Sequence, residues 1–184
     1  MAGTPTDLLY KIFLALSGGG AALANTPAFL FTSTSTLAAN TTPRAANTVF
    51  GGALQLVSSP APIAGQWIII TDIEVIINVA TLPVGMTGFQ LYTYGVTPPS
   101  AIPAAGVYSF PPVDRASIIY PKGTSIGNAE LARGGGSVVL QENNINRVLK
   151  LTGTSLFAYL VSIGAFTPAA ASETATIRVR AIAV

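Results

Sequence analysis

The sequence predicts an all-β protein: an antiparallel β-sandwich, with a jelly roll as the first expectation, preceded by a short N-terminal helical arm. Three observations carry this. From Phe29 onward the chain divides into short runs rich in Val, Ile, Thr, Tyr and Phe, separated by Gly, Pro, Asn and Ser. No helical pattern lies between those runs, which favours an antiparallel sandwich over a parallel sheet with crossover helices. The proline-rich stretch from Pro98 to Pro112 is too long for a hairpin turn and suits the sheet-crossing connections of a Greek key. An up-and-down barrel and an immunoglobulin-like sandwich share these features, because periodicity does not encode strand order.

The chain divides into an arm and glycine-rich linker, residues 1–24, and a β-domain, residues 25–184. In the arm, residues 5–16 read as the only helix. Thr4 serves as N-cap, Pro5 takes the first helical position, and Asp7 stands at the capping-box distance. Ser17 and the glycines Gly18 to Gly20 end it. Leu8, Leu9, Ile12, Phe13 and Leu16 share one face, with Lys11 elsewhere on the wheel. A helix of about twelve residues is marginal in water, so this stripe is expected to bind its own domain or another subunit. The same region imitates a signal peptide, with Ala22-Leu23-Ala24 as a cleavage-like site. Asp7 in the would-be basic region and the triple glycine argue against that role. Its apolar stretch also falls short of the ~20 residues that a bilayer-spanning helix needs.

Strands are expected near 29–37, 46–57, 66–80, 88–96, 115–120, 137–142, 146–152, 155–162 and 174–184. In the last, Thr174 to Ala181 alternates, placing Ile177 and Val179 on one face and Arg178 and Arg180 on the other. Trp67 to Val79 is almost continuous in Ile and Val, as in a strand buried on both faces or bent between two sheets. Gly153-Thr154 suggests a tight hairpin. No fixed-period repeat argues for a solenoid or propeller.

Composition narrows function sharply. Only 9% of residues are charged while 50% are hydrophobic, and the chain contains neither His nor Cys. A typical domain carries about 25% charged residues, so this one has little solvated surface of its own and is expected to sit against neighbours. Absence of His and Cys removes the usual proton shuttle, soft metal ligands and strongest nucleophile, so no enzyme activity, metal or cofactor is expected. The nine basic and seven acidic residues are scattered singly, which argues against nucleic acid as a partner.

Few residues are left to carry chemistry. Asp72 and Glu74 share a strand face, as a glycosidase acid pair could, but an aggregation-blocking surface position or pairing with arginines of a neighbour is the preferred reading. Arg178 and Arg180 suit either an acidic patch on a partner or a solvated strand face. Tyr92 and Tyr94 share a face that could stack on a sugar, although core packing is favoured. Gly18 to Gly20 and Gly134 to Gly136 lack the residues of a phosphate loop and read as hinges. Asn40-Thr41-Thr42 matches a glycosylation acceptor that matters only in a secretory pathway.

Three features together resemble the small structural proteins of tailed bacteriophages, in particular head decoration or cement proteins. These are the Thr4-Pro5-Thr6-Asp7-Leu8-Leu9-Tyr10-Lys11-Ile12 helix before a glycine linker, the β-rich body, and the Leu149 to Val161 ending, LKLTGTSLFAYLV. The resemblance implies a sandwich-fold oligomer that bridges capsid subunits on the virion surface after synthesis in the host cytoplasm. Its implied partners are the major capsid protein or other virion subunits and its own copies, as dimer or trimer. Leu8, Leu9, Ile12, Phe13, Leu16, Arg178 and Arg180 are the expected partner-binding residues. A trimeric tail, neck or fibre component is the alternative, and a carbohydrate-binding module using Tyr92, Tyr94, Asp72 and Glu74 is a third.

Overall fold

A computed structural model of the chain describes residues 27–37, 41–119, 123–127, 129–131 and 136–184. The expected helix at residues 5–16, with its stripe Leu8, Leu9, Ile12, Phe13 and Leu16, lies outside the described residues. The body is antiparallel β throughout. Its strands are β1 (Ala28–Thr36), β2 (Leu54–Ser58), β3 (Trp67–Ile77), β4 (Phe89–Tyr94), β5 (Thr124–Ile126), β6 (Ala129–Leu131), β7 (Val138–Glu142), β8 (Arg147–Lys150), β9 (Ser155–Ser162) and β10 (Thr174–Ala183).

These strands form one sheet in the order β5-β4-β9-β2-β1-β10-β3-β7-β6, with β8 pairing the first half of β3. The sheet folds over on itself. Its corner is the short β1–β2 ladder, only Phe31 with Ser58 and Thr32 with Val57. At the opposite side the two edges are joined by the chain itself, since β5 ends at Ile126 and β6 starts at Ala129. Arg147 Nη1 donates to Thr124 Oγ1 at 2.7 Å, tying β8 to β5 across the gap. Alternation then fills the interior. Phe31, Leu56, Ile68, Ile73, Val75, Ile77, Phe89, Leu91, Leu156, Leu160, Ile177 and Val179 are buried in one cluster drawn from both halves. Each such side chain contributes about 1.5–3 kcal/mol of transfer free energy.

The Ile/Val run of β3 has two causes: Ile68, Ile69 and Ile70 are all buried, as expected of a strand covered on both faces, and an extra residue changes which side chains face the core. Arg180 pairs with Asp72 but Ala181 pairs with Ile70, so Thr71 is an extra residue in β3. Such a bulge reverses the strand's facing. Ile68 and Ile70 therefore point inward before it and Ile73, Val75 and Ile77 point inward after it. Thr71 Oγ1 donates to Arg180 O at 3.2 Å, and its own carbonyl accepts Ile145 N–H at 3.0 Å. The bulge also marks where the partner of β3 changes from β8 to β7.

Several expectations need correction. Residues 115–119, the described part of the expected strand 115–120, are not a strand: Pro112–Asp114 form a single 3-10 turn, and Ser117 and Ile118 both donate to Asp114 O. Only Ile118 makes an isolated bridge, to Tyr94. The expected strand 46–57 begins at Leu54, because left-handed backbone at Asn47, Gly51 and Gly52 bends the chain first. Gly153-Thr154 is not a hairpin. β8 pairs with β3 while β9 pairs with β4 and β2, so residues 151–154 cross between the two halves. Leu151 fixes that exit, donating its N–H to Gln66 O and accepting Gly65 N–H.

The register places the connections at two ends. One end carries β1–β2, β3–β4, β6–β7 and β9–β10; the other carries β2–β3, β4–β5, β8–β9 and the entry of the chain into β1.

Candidate functional site

The charged residues singled out from sequence meet on the outer face of β3 and β10. Arg178 lies opposite Glu74 and Arg180 opposite Asp72 in the ladder. Arg178 Nη1 reaches Glu74 Oε2 at 3.2 Å, and Arg180 reaches both Asp72 Oδ1 and Glu74 Oε2. The arginine side chains are 41% and 45% exposed and the acids 15% and 17%, so the guanidinium groups lie over the carboxylates. Asp72 and Glu74 thus find their arginines on their own chain's next strand. A half-exposed pair of this kind stabilises by about 0–1 kcal/mol. Both carboxylates are held by cations on an open sheet face, which does not supply the cleft that a glycosidase pair requires.

The tyrosines occupy the other half of the sandwich. Tyr94 and Tyr159 project from the outer face of β4 and β9, with rings 5.8 Å apart and edge to face. Tyr108 covers them, 5.7 Å from the Tyr159 ring and 4.3 Å from that of Tyr92. Val49 and Val161 complete this second cluster, against which Ile102, Phe110 and Ile118 pack. The long β4–β5 connection is therefore folded flat over the outside of the sheet. It is pinned by polar atoms as well. Asp114, fully buried, accepts Ser100 N–H at 2.9 Å, Ser100 Oγ–H at 2.7 Å and the Tyr94 hydroxyl at 3.3 Å. Tyr94 and Tyr108 share a hydroxyl hydrogen bond at 2.7 Å, and Tyr159 OH accepts Ile102 N–H at 2.9 Å. Tyr94 is buried and Tyr92 is packed on Tyr108, so core packing is what these residues do. They lie on the opposite side of the sandwich from Asp72 and Glu74, and the four do not form one site.

Burial raises the pKa of Tyr92, Tyr94 and Tyr108, with the Tyr108 hydroxyl raising Tyr94 further. Tyr108 is pushed up to about 12, first by burial, although its bond to Tyr94 acts the other way. These phenols are hydrogen-bonding latches, not phenolate nucleophiles. The shift has a sign for stability. Folded Tyr108 holds its proton above pH 10, where an unfolded phenol loses it, so its contribution is complete below that pH and disappears as pH rises through about 12. For Tyr108 alone this amounts to about 2–3 kcal/mol. Tyrosinate absorbance is expected to show a late-titrating set whose ionisation coincides with loss of unfolding free energy. A single ionisation near 10 for every phenol would contradict it.

Apolar residues stand out at both ends of the body. Leu30, Trp67 and Val148 are about two-fifths exposed at the end where β1 begins, near the more exposed Val57 and Ile63. Leu82, Val84 and Ile163 are exposed at the other end, and Val107 and Val113 on the β4–β5 connection. A shallow, open depression lined by Gln55, Thr97, Thr152, Thr154, Ser155 and Phe157 holds no charged group. Among the described residues no three His, Cys, Asp or Glu side chains gather as a metal site, and no helix is long and apolar enough to cross a membrane.

Sequence reasoning did not single out Ser100, Tyr108, Asp114 or Tyr159. A usable signal existed for Tyr159. Phe157, Tyr159 and Val161 alternate with Leu156, Ala158 and Leu160, so β9 is apolar on both faces and needs a cover outside as well as a core inside. No family model matches the chain, and no curated protein matches it.

Proposed function

We propose that this chain is a non-enzymatic virion structural protein of a bacteriophage, a capsid decoration or cement protein that binds the head shell through subunit contacts. The observation that carries the reading is a surface poor in charge and studded with exposed Val, Leu, Ile and Trp at both ends of the body. Such side chains on a chain this weakly charged are what neighbouring subunits cover. Strand order supports it. We read β1-β10-β3-β7 and β2-β9-β4-β5 as the two four-stranded sheets of a jelly roll, an architecture that recurs in viral capsid proteins. Its partners are the major capsid protein or other virion subunits and further copies of itself, through the arm stripe and the arginines Arg178 and Arg180. Many symmetric copies make modest contacts sufficient.

Deleting residues 1–24 tests the reading: occupancy on particles is expected to vanish while the β-domain stays folded. Unchanged occupancy would remove the arm from the account. Salt separates the two surfaces. A contact dominated by apolar burial survives high ionic strength, whereas release at moderate salt would shift the contact to the arginine face. A tail, neck or fibre position would keep this chemistry and lower the copy number.

A further inference from the structure

The depression on the half formed by β2, β9 and β4 has a lining that selects a class of ligand. Its floor is the outer-face row in which Gln55 of β2 pairs with Phe157 of β9, and Phe157 with Tyr94 of β4. The β4–β5 connection covers Tyr94 and Tyr159, whereas Phe157 is only partly buried at the edge of that cluster. Beyond the Phe157 ring the row is open. Gln55 is exposed there, and its Nε2 donates to Ser155 Oγ at 3.3 Å. The walls are Gly95, Val96 and Thr97, at the exit of β4, and Thr152, Gly153 and Thr154, where the chain crosses from β8 to β9.

These walls are braced within the protein. Thr152 Oγ1 donates to Gly95 O, and Gly95 N–H donates to Ser117 O at 2.9 Å, so both backbone groups of Gly95 are held. Packing at that point is close, since a Cβ on Gly95 would stand 2.6 Å from Thr152 Oγ1 and push that side chain aside. Gly153 is the opposite case. A Cβ there meets nothing within 4 Å, so the crossing presents bare backbone to open space. The depression holds about 380 Å³, the scale of a small-molecule site.

The lining excludes several ligand classes. None of its residues is charged, so a phosphate, a carboxylate or a metal cation finds no counter-charge. The strand that carries Phe157 is paired on both sides, by β2 and β4, so a peptide has no edge to extend there. An apolar molecule needs enclosing apolar walls, and this depression is shallow and rimmed by the hydroxyls of Thr97, Thr152, Thr154 and Ser155. Hydroxyl and amide groups both donate and accept, as sugar hydroxyls require of a partner. Phe157 and the exposed Val96 supply the apolar surface against which the C–H face of a pyranose packs.

We infer that this depression binds a neutral saccharide, with Phe157 and Val96 against the C–H face of one ring and Gln55, Thr97, Thr154 and Ser155 on its hydroxyls. The site shares no residue with Tyr92, Tyr94, Asp72 and Glu74. It does not rest on the virion assignment, although many copies on one particle would turn weak sites into firm attachment.

Titration of the purified full chain with cellotriose, maltotriose and triacetylchitotriose, followed by amide NMR, tests it. At least one of the three should saturably shift the signals of Gly95, Val96, Gly153 and Ser155, with a Kd of about 1 mM or below. Gln55→Ala truncates an exposed side chain and should weaken that binding about tenfold. Gly153→Leu adds bulk where no protein atom opposes it and should abolish binding. Both variants should keep the parent's unfolding midpoint. Three silent titrations would overturn the inference, as would shifts that map to another face or binding that neither substitution weakens. Tighter binding of trigalacturonate than of any neutral trisaccharide would overturn the neutral assignment. Particle occupancy is measured separately, so the saccharide site and the virion reading can fail independently.

Discussion

Asp114→Ala is expected to destabilise the protein by about 3–4 kcal/mol, because Ser100 N–H, Ser100 Oγ and the Tyr94 hydroxyl all lose the buried acceptor they share. The effect should be local before it is global. Asp114 ties the 3-10 turn of the β4–β5 connection to Ser100 earlier in the same connection and to Tyr94 on the sheet. Without it, the connection keeps the apolar contacts of Tyr108, Ile102 and Ile118, the hydroxyl bonds of Tyr108 and Tyr159, and the backbone bonds of Val49 with Ala105 and Gly106 and of Tyr108 with Asn47. Limited proteolysis should cut between 96 and 119 in the variant under conditions that leave the parent intact, with denaturant unfolding giving the global loss. Asp114→Asn retains one acceptor oxygen and should lose less, about 1–2 kcal/mol. A variant as stable and as protease-resistant as the parent would mean that ring packing and backbone hydrogen bonds hold the connection down without Asp114.

Phe31→Ala is expected to cost about 3–5 kcal/mol, roughly a fifth or more of the stability of an ordinary domain. Phe31 is fully buried, its ring 6.1 Å from that of Phe29. It sits at the corner, paired with Val179 on one side and Ser58 on the other. The β1–β2 ladder contains only two residue pairs, so a cavity there weakens the one hydrogen-bonded seam between the halves on that side. Leu30, the next residue and outward-facing, supplies the control. Leu30→Ala should change stability by less than about 1 kcal/mol. Phe31 belongs to the central core and Asp114 to the latch outside the sheet, so the two losses should add. Denaturant midpoints for the single and double variants check both statements.

Much of the body was legible in the sequence because one face of most strands is buried and the other is not. In β10 the Ala175, Ile177, Val179, Ala181 series faces the core while Thr176, Arg178 and Arg180 face outward, and that alternation is written directly in the chain. β1, β4, β7 and β8 were readable on similar grounds, and β3 and β9 as apolar runs covered on both faces. β5 and β6 were not, since three-residue strands beside Gly123 and Gly127 carry too few side chains to display a period. Residues 115–120 misled for the opposite reason. Ile118 and Ile119 are apolar because they pack on the two clusters, and the turn begun by Pro111 and Pro112 leaves them no strand partner beyond one bridge.

The candidate surfaces divide in the same way. Facing between Arg178, Arg180, Asp72 and Glu74 follows from period two, but that the four meet depends on β10 lying beside β3, and on a bulge at Thr71 that no local signal announces. Likewise Ala28, Ile182, Ile69 and Val148 meet across the sheet only because β1, β10, β3 and β8 are neighbours in that order. Ala28, Ile69, Val148 and Ile182 are far apart in sequence, and each alone reads as an ordinary strand residue. The buried Asp114 network was hidden within a proline-rich connection, where turn chemistry is visible but the destination of the turn is not.

The proposed decoration role requires each β-domain to hold an apolar end against a neighbouring subunit of a shell. Imaging of intact particles that carry the chain, with a count of its copies, tests this most directly. Many symmetry-related copies on the outer face of the head, each with an apolar end of the β-domain against a neighbour, is the predicted result. Absence from the particle, or a few copies confined to a neck or tail tip, would contradict the decoration role.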